Sequence, residues 1–121
     1  LALKYSKERK AFGTEICNHQ AIAFKLADMY TEITAARHLV MKAAWDKDQG
    51  NNYDMSSAMA KFYASKVAME HTAHAVQIHG GNGFVKEYHG ERLMRDAKIT
   101  QIYEGTSEIQ KIVISRSLIK G

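Results

Sequence analysis

Proline is absent from this 121-residue chain, and cysteine and tryptophan occur once each. With no proline, nothing forces a break within a helix, and turn-rich β architectures are disfavoured. The lone thiol, Cys17, excludes an internal disulfide and with it the small stapled domains of the secreted class. No apolar run approaches the length of a membrane span and no signal peptide is visible. The expectation is a soluble intracellular protein, with bacterial or archaeal cytoplasm and mitochondrial matrix both open. A polybasic block is missing too: the net charge is +4, with lysines and arginines dispersed. Nucleic acid is therefore not an expected partner, whereas a phosphate-bearing small molecule suits this balance.

What is present favours helices: 45% of residues are hydrophobic and six are methionine. Residues 1–9 read as a helical tail broken around Phe12-Gly13. Leu1 is not an initiator methionine, so the chain is expected to be a segment of a longer polypeptide. From about Asn18, a candidate N-cap, to about Lys47, the residues Ile22, Leu26, Met29, Ile33, Ala36, Val40 and Ala43 recur at helical spacing. Such a helix is about 40 Å long, more than a small domain needs for itself. Gln49-Gly50-Asn51-Asn52 ends it, and Asp54 is a candidate N-cap for a second long helix that stops at Gly80-Gly81-Asn82-Gly83. A third helix is expected from Glu87 to Ala97. A fourth opens at Ser107 with Gln110 at capping-box spacing and Ile109, Ile112, Val113 and Leu118 as its inner face. The fold class is all-α, an antiparallel four-helix bundle occupying residues 1–121.

One carboxylate stands out. Glu104 follows Tyr103 and precedes Gly105, Thr106, Ser107 and Glu108, where the last helix begins. Glycine admits close backbone approach, and a helix N-terminus offers free N–H donors. A base beside such donors suits removal of a proton next to a carbonyl. The same residues also read as ordinary capping, with a carboxylate complementing the helix dipole.

Five blocks then fall in order: Glu8-Arg9-Lys10-Ala11-Phe12-Gly13 with His19-Gln20; Leu26-Ala27-Asp28-Met29 with Ala35-Ala36-Arg37; Gln77 to Phe84; Glu91 to Ala97; and Ile102 to Glu108. In these blocks the chain resembles the C-terminal helical domain of flavin-dependent acyl-CoA dehydrogenases, over essentially its whole length. The resemblance implies a longer enzyme whose N-terminal helical and middle β domains are absent here. It also implies tightly held FAD, oxidation of an acyl-CoA to the trans-2-enoyl-CoA, a homotetramer built from dimers, and electron-transferring flavoprotein as oxidant.

Carried over residue by residue, Glu104 is the base for the α-proton while the β-hydrogen leaves as hydride to the flavin. Tyr103 and Gly105 border the substrate, and Arg116 is an electrostatic neighbour. Thr106, Ser107 and Glu108 touch the flavin. Arg9 faces pyrophosphate and Phe12 adenine, with Gln20, Gln77, Ile78, His79, Gly80 and Gly81 completing the adenosine side for the neighbouring subunit's cofactor. Without the resemblance, Arg9 reads as a surface residue, Phe12 as core, Gly80 and Gly81 as a helix C-cap, and Arg116 as a cation near a helix C-terminus.

A base at this late position points to straight-chain short- or medium-chain substrates or near relatives. The aspartate and arginine with which the family grips CoA lie upstream of this segment. The rival readings are a non-catalytic helical self-association module, and a related flavoenzyme such as a glutaryl-CoA dehydrogenase or an acyl-CoA oxidase. His71 and His74 lack the spacing of a zinc motif, so no metal is expected.

Overall fold

A computed structural model describes residues 1–120. Helix α1 (Ala2–Glu8) leads into a hairpin of β1 (Lys10–Ala11) and β2 (Thr14–Glu15), with Lys10 opposite Glu15 and Ala11 opposite Thr14. A 3-10 turn over Ile16–Asn18 precedes α2 (Gln20–Asp48). Then come α3 (Asp54–His79), the single turn α4 (Gly81–Phe84), α5 (Gly90–Ile99) and α6 (Ser107–Lys120). The all-α expectation holds, and the hairpin is the one sheet among the described residues. Two residues per strand are too few to show alternation, so periodicity carried no sign of it.

Helix α3 is the axis of the domain, with α2, α5, α6, α4 and α1 all lying against it. Cross-helix pairs show that its long neighbours run antiparallel to it. Lys25 approaches His74 and Glu32 approaches His71 between α2 and α3, while Lys61 reaches Gly105 at the start of α6. Helix approach is close because the buried residues are small: Ala36, Ala58, Ala60, Ser65, Val67 and Ala97. Larger apolar side chains are left outside. On α2, Phe24, Tyr30, Met41 and Trp45 are each more than half exposed. Ile33 and Val40 of the expected stripe are exposed as well, because among the long helices only α3 lies along this one, burying Ala36 and covering Ile22, Met29 and Ala43 in part. On α6 the inner row is Gln110, Val113, Ile114 and Ser117; Ile109, Ile112 and Leu118 face outward.

Helix ends differ from expectation in small ways with clear causes. Asn18 spends its amide on Thr14 Oγ1 at 2.9 Å and on Glu15, so α2 starts a residue later, with His19 at the cap position. Asp54 is already helical, and its N–H is accepted by Asn52 Oδ1 at 2.9 Å. Helix α5 starts at Gly90 and not at Glu87.

The α2–α3 turn is a Schellman closure: Gly50 takes φ +70°, its N–H bonds the Lys47 carbonyl at 3.1 Å, and Asn51 N–H bonds that of Asp46 at 2.9 Å. Asp46 is buried there, 2.6 Å from Lys42 Nζ. The Lys42 ammonium foremost, then the Ser56 hydroxyl, hold its carboxyl below the ordinary carboxylate range.

Two outcomes follow for unfolding experiments. A carboxyl whose pKa is lowered by folding stabilises the fold above its unfolded value, about 4, and that contribution is lost as pH falls through the folded value. Asp46→Asn is therefore expected to lower the melting temperature at neutral pH, with the gap to wild type closing as the pH falls far enough to protonate Asp46 in the folded state. A methyl on Gly83 would lie 2.9 Å from Val76 Cα and closer still to the Val76 carbonyl, whereas a methyl on Gly81 meets nothing within 4 Å. Gly83→Ala is expected to cost about 1–3 kcal/mol in urea unfolding, and Gly81→Ala far less.

Candidate functional site

Two groups of candidate residues assemble, near the two ends of α3. The first begins at the hairpin. Phe12 and Gly13 form its two-residue loop, and their φ of +54° and +84° are the left-handed pair of a type I′ turn. Glycine adopts this freely. For an aromatic residue it costs about 1–2 kcal/mol, and no packing offsets the cost, because Phe12 is 97% exposed. Its ring stands edge-on to His19, whose Nε2 docks the hairpin through the Ala11 carbonyl at 3.0 Å. Exposed Gln20 follows as the first residue of α2.

Arg9, just before the hairpin, is brought against the end of α3 from nearly seventy positions away. With Tyr5, Ile78, His79, Gly80 and Gly81 it lines a groove of about 410 Å³. Gly80 needs its φ of +59°, but Gly81 has no left-handed backbone and no neighbour that a side chain would touch. The fold of this chain thus gives no reason for a glycine at 81; an incoming ligand lying on the backbone would. Gln77 is exposed, while Ile78 and His79 are buried and offer backbone and ring edge only.

The His79 ring is held firmly. Its Nδ1 donates to the Ala75 carbonyl at 2.7 Å, Tyr5 stacks on it at 4.3 Å, and Asn82 donates to the Tyr5 hydroxyl at 3.0 Å. Tyr5, Asn82 and Tyr88, which also flanks His79 edge-on, went unnoticed in the sequence because their partners are distant in it.

The second group is the loop from Tyr103 to Glu108. Glu104 has φ +52° and Gly105 +87°, a second consecutive left-handed pair ending in glycine. A methyl on Gly105 would press on Gln110 Nε2 at 2.7 Å. That Gln110 amide donates to the carbonyls of Glu104 and Gly105, at 3.2 and 3.1 Å. Lys61 Nζ, from α3, donates to the Gly105 carbonyl at 2.6 Å. The Glu104 and Tyr103 side chains are exposed, so the dry surroundings that proton abstraction calls for are not supplied by residues 1–120.

The expected capping box shifts by one. Thr106 is the cap, accepting Ile109 N–H at 3.4 Å, and Gln110 reaches the loop carbonyls instead of the cap N–H. The Glu108 carboxyl is held below its ordinary value by its own backbone N–H first, then by the Thr106 hydroxyl, with Lys111 and Lys98 adding to the effect. Thr106, Ser107 and Glu108 border a groove of about 490 Å³ with Phe62, Lys66, Lys98 and Lys111. Arg116 is separate from both groups. It sits about 14 Å along α6 from Ser107, beside Asp54 and Ser57, and makes no ion pair with Glu104 among the described residues.

His71 and His74 lie between α2 and α3, 5.7 Å apart, with Glu32 and Glu70 beside them. No group of three or more potential metal ligands stands together among the described residues. No described helix is long and apolar enough to cross a membrane.

Residues 1–119 match the family model of the acyl-CoA dehydrogenase C-terminal domain. The chain belongs to the acyl-CoA dehydrogenase family. It is 54% identical over 119 residues to a probable acyl-CoA dehydrogenase of Bacillus subtilis (strain 168), covering 98% of this chain and 31% of that protein. It is 53% identical to the CarC subunit of a caffeyl-CoA reductase–Etf complex of Acetobacterium woodii, with the same coverage. Among solved structures, butyryl-CoA dehydrogenase of Megasphaera elsdenii superposes with a TM-score of 0.97 at 53% identity, over 98% of this chain and 31% of that one. The chain therefore spans about a third of the length of these acyl-CoA dehydrogenase relatives.

The hairpin loop yields a test of backbone strain. Asparagine tolerates the left-handed conformation and precedes glycine in the favoured type I′ turn. Phe12→Asn is expected to raise stability by about 1 kcal/mol in chemical unfolding.

Proposed function

We propose that the chain is the C-terminal helical domain of a longer FAD-dependent acyl-CoA dehydrogenase, with Glu104 as the base that takes the α-proton of an acyl-CoA thioester. The observation that carries this reading is the Glu104–Gly105 turn. A left-handed non-glycine residue has its carbonyl held by Gln110 and the next carbonyl, that of Gly105, held by Gln110 and Lys61, while its carboxylate is left free. Such strain is retained where a side chain has to be aimed.

The α-proton is far less acidic than a carboxylic acid, so the base needs help. The Glu104 N–H, unused by the bonds that hold the loop, is available to the thioester oxygen and stabilises the enolate-like charge there. Water has to be excluded by parts of the longer protein, which raises the proton affinity of the carboxylate. Tyr103 and Gly105 border the reacting carbon. Arg116 acts at most over distance.

The groups that would hold FAD are of the right kinds. Arg9 provides a permanently charged fork for pyrophosphate, Phe12 an uncovered ring for adenine, and Gly80-Gly81 a bare backbone with Gln77 and Gln20 beside it. Thr106 and Ser107 offer hydroxyl and N–H donors at the start of α6. Glu108 is engaged by its own cap, so its part is to order the helix start. FAD bound in this way supplies the hydride acceptor for the β-carbon.

The two groups lie about 28 Å apart along α3, counted from Lys61 to Gly80. That spacing supports a cofactor shared between two chains, whose binding energy would favour dimers and tetramers by linkage. The exposed Phe24, Tyr30, Met41 and Trp45 of α2 supply apolar surface for such contacts.

A relative named as part of an Etf complex supports electron-transferring flavoprotein as the redox partner. Relatives of nearly equal identity are named dehydrogenase and reductase, so this domain serves either direction. A non-catalytic helical module explains neither the uncovered Phe12 nor the aimed Glu104. The glutaryl-CoA and oxygen-dependent variants share this base and differ elsewhere.

In the full-length flavin-loaded protein, Glu104→Gln is expected to keep the flavin absorbance. It should lower deuterium exchange at the substrate α-carbon by about 10²–10⁴-fold. Undiminished exchange would remove Glu104 from the reaction.

A further inference from the structure

We infer that Lys61 is the positioning residue of the site: through the Gly105 carbonyl it holds the Glu104 turn in its left-handed state and so aims the base. This rests on the reading of Glu104 given above.

Lys61 lies in the first half of α3, 44 positions from its partner, and is half-buried. Its ammonium donates to the Gly105 carbonyl at 2.6 Å and forms no salt bridge with any described carboxylate. Fixing a lysine side chain costs rotamer freedom, which an uncharged donor's bond to a loop carbonyl would not repay. The charge makes this hydrogen bond stronger than a neutral one, and it is directed at the one loop where two consecutive residues are left-handed with an acid first.

The geometry explains what the bond does. All peptides here are trans, so a carbonyl and the N–H of the same plane point in opposite directions. Lys61 and Gln110 draw the carbonyls of Glu104 and Gly105 toward α3 and α6. The Gly105 and Thr106 N–H groups are thereby turned away from those helices, and both planes after Glu104 are set. On the preceding side Tyr103 N–H bonds the Ile99 carbonyl at 3.0 Å, so the chain is held on both sides of Glu104 and the direction of its Cα–Cβ bond is confined.

Gln110 cannot do this alone, because it belongs to the same helix start as the loop and would move with it. Lys61 ties the loop to the axis helix. Lys61 also lines, with Ala64, Ala68, Thr100 and Tyr103, a small groove of about 290 Å³.

The test uses the full-length flavin-loaded enzyme with Lys61→Met, Lys61→Gln and Lys61→Arg. Misplacing a reacting group by about an ångström costs up to about 100-fold. Lys61→Met is expected to lower kcat by about 10- to 100-fold with KM changed by less than about twofold. Backbone hydrogen exchange in the peptide that contains residues 103–107 should quicken at unchanged flavin content. Lys61→Arg should restore most of kcat.

Wild-type kcat and loop protection in Lys61→Met would overturn the proposal. So would equal losses in the Met and Arg variants. If Lys61→Met fails to fold, Lys61→Gln carries the test; a lower melting temperature with unchanged kcat per bound flavin would show a merely structural contact and overturn it as well. Glu104→Gln run in parallel separates the two readings. Exchange abolished there but untouched in Lys61→Met sinks only the positioning role, while exchange retained in Glu104→Gln sinks both.

Discussion

A left-handed turn held against its own strain is the constraint on which the proposed site depends. Glu104 and Gly105 leave the end of the α5 segment in a conformation that a non-glycine residue avoids, and groups from two different helices hold the turn's carbonyls. The same economy appears at the hairpin, where Phe12 takes the strained position and Gly13 the easy one. In both places a residue followed by glycine turns its side chain out of the fold, and in both the projecting group is one that chemistry or recognition can use.

The remaining architecture serves to place these two turns. Helix α3 is long enough to keep them about 28 Å apart, and it carries a contact to each: Lys61 to the Glu104–Gly105 turn, and the Ile78–Gly81 end to the hairpin side through Arg9 and Tyr5. Small buried residues let α2, α5 and α6 settle closely on it. The domain spends few of its large apolar side chains on this core, and the surplus on α2 is surface still to be covered. A domain built this way works as a part. On the proposed reading, the dry surroundings of the groups it presents would come from elsewhere in a longer protein and from other copies.

Long helices, their approximate limits and the order of the motif blocks could be read directly from the amino acids. They depend on local propensity, on three- and four-residue periodicity and on glycine-bearing turns, all of which act over a few neighbouring positions. Caps and helix faces depart from that local pattern. Cap positions moved by a residue when a side chain found a better acceptor, as Asn18 did on Thr14 and Gln110 on the Glu104–Gly105 carbonyls. Helix faces rotated or stayed open, as on α6 and α2, because periodicity tells which residues share a face but not how many neighbours that face will meet.

Sequence by itself determined the helical class, the candidate base with its glycine and hydroxyl followers, and the family. Tertiary structure alone decided that Arg9 and Gly81 share one groove, that Phe12 stands in solvent and not in the core, that Arg116 lies apart from Glu104, and that a lysine 44 positions upstream bonds the Gly105 carbonyl. The division has a physical origin. Helix and turn preferences are set within a few residues, whereas the direction of a side chain and the company it keeps depend on how distant helices pack.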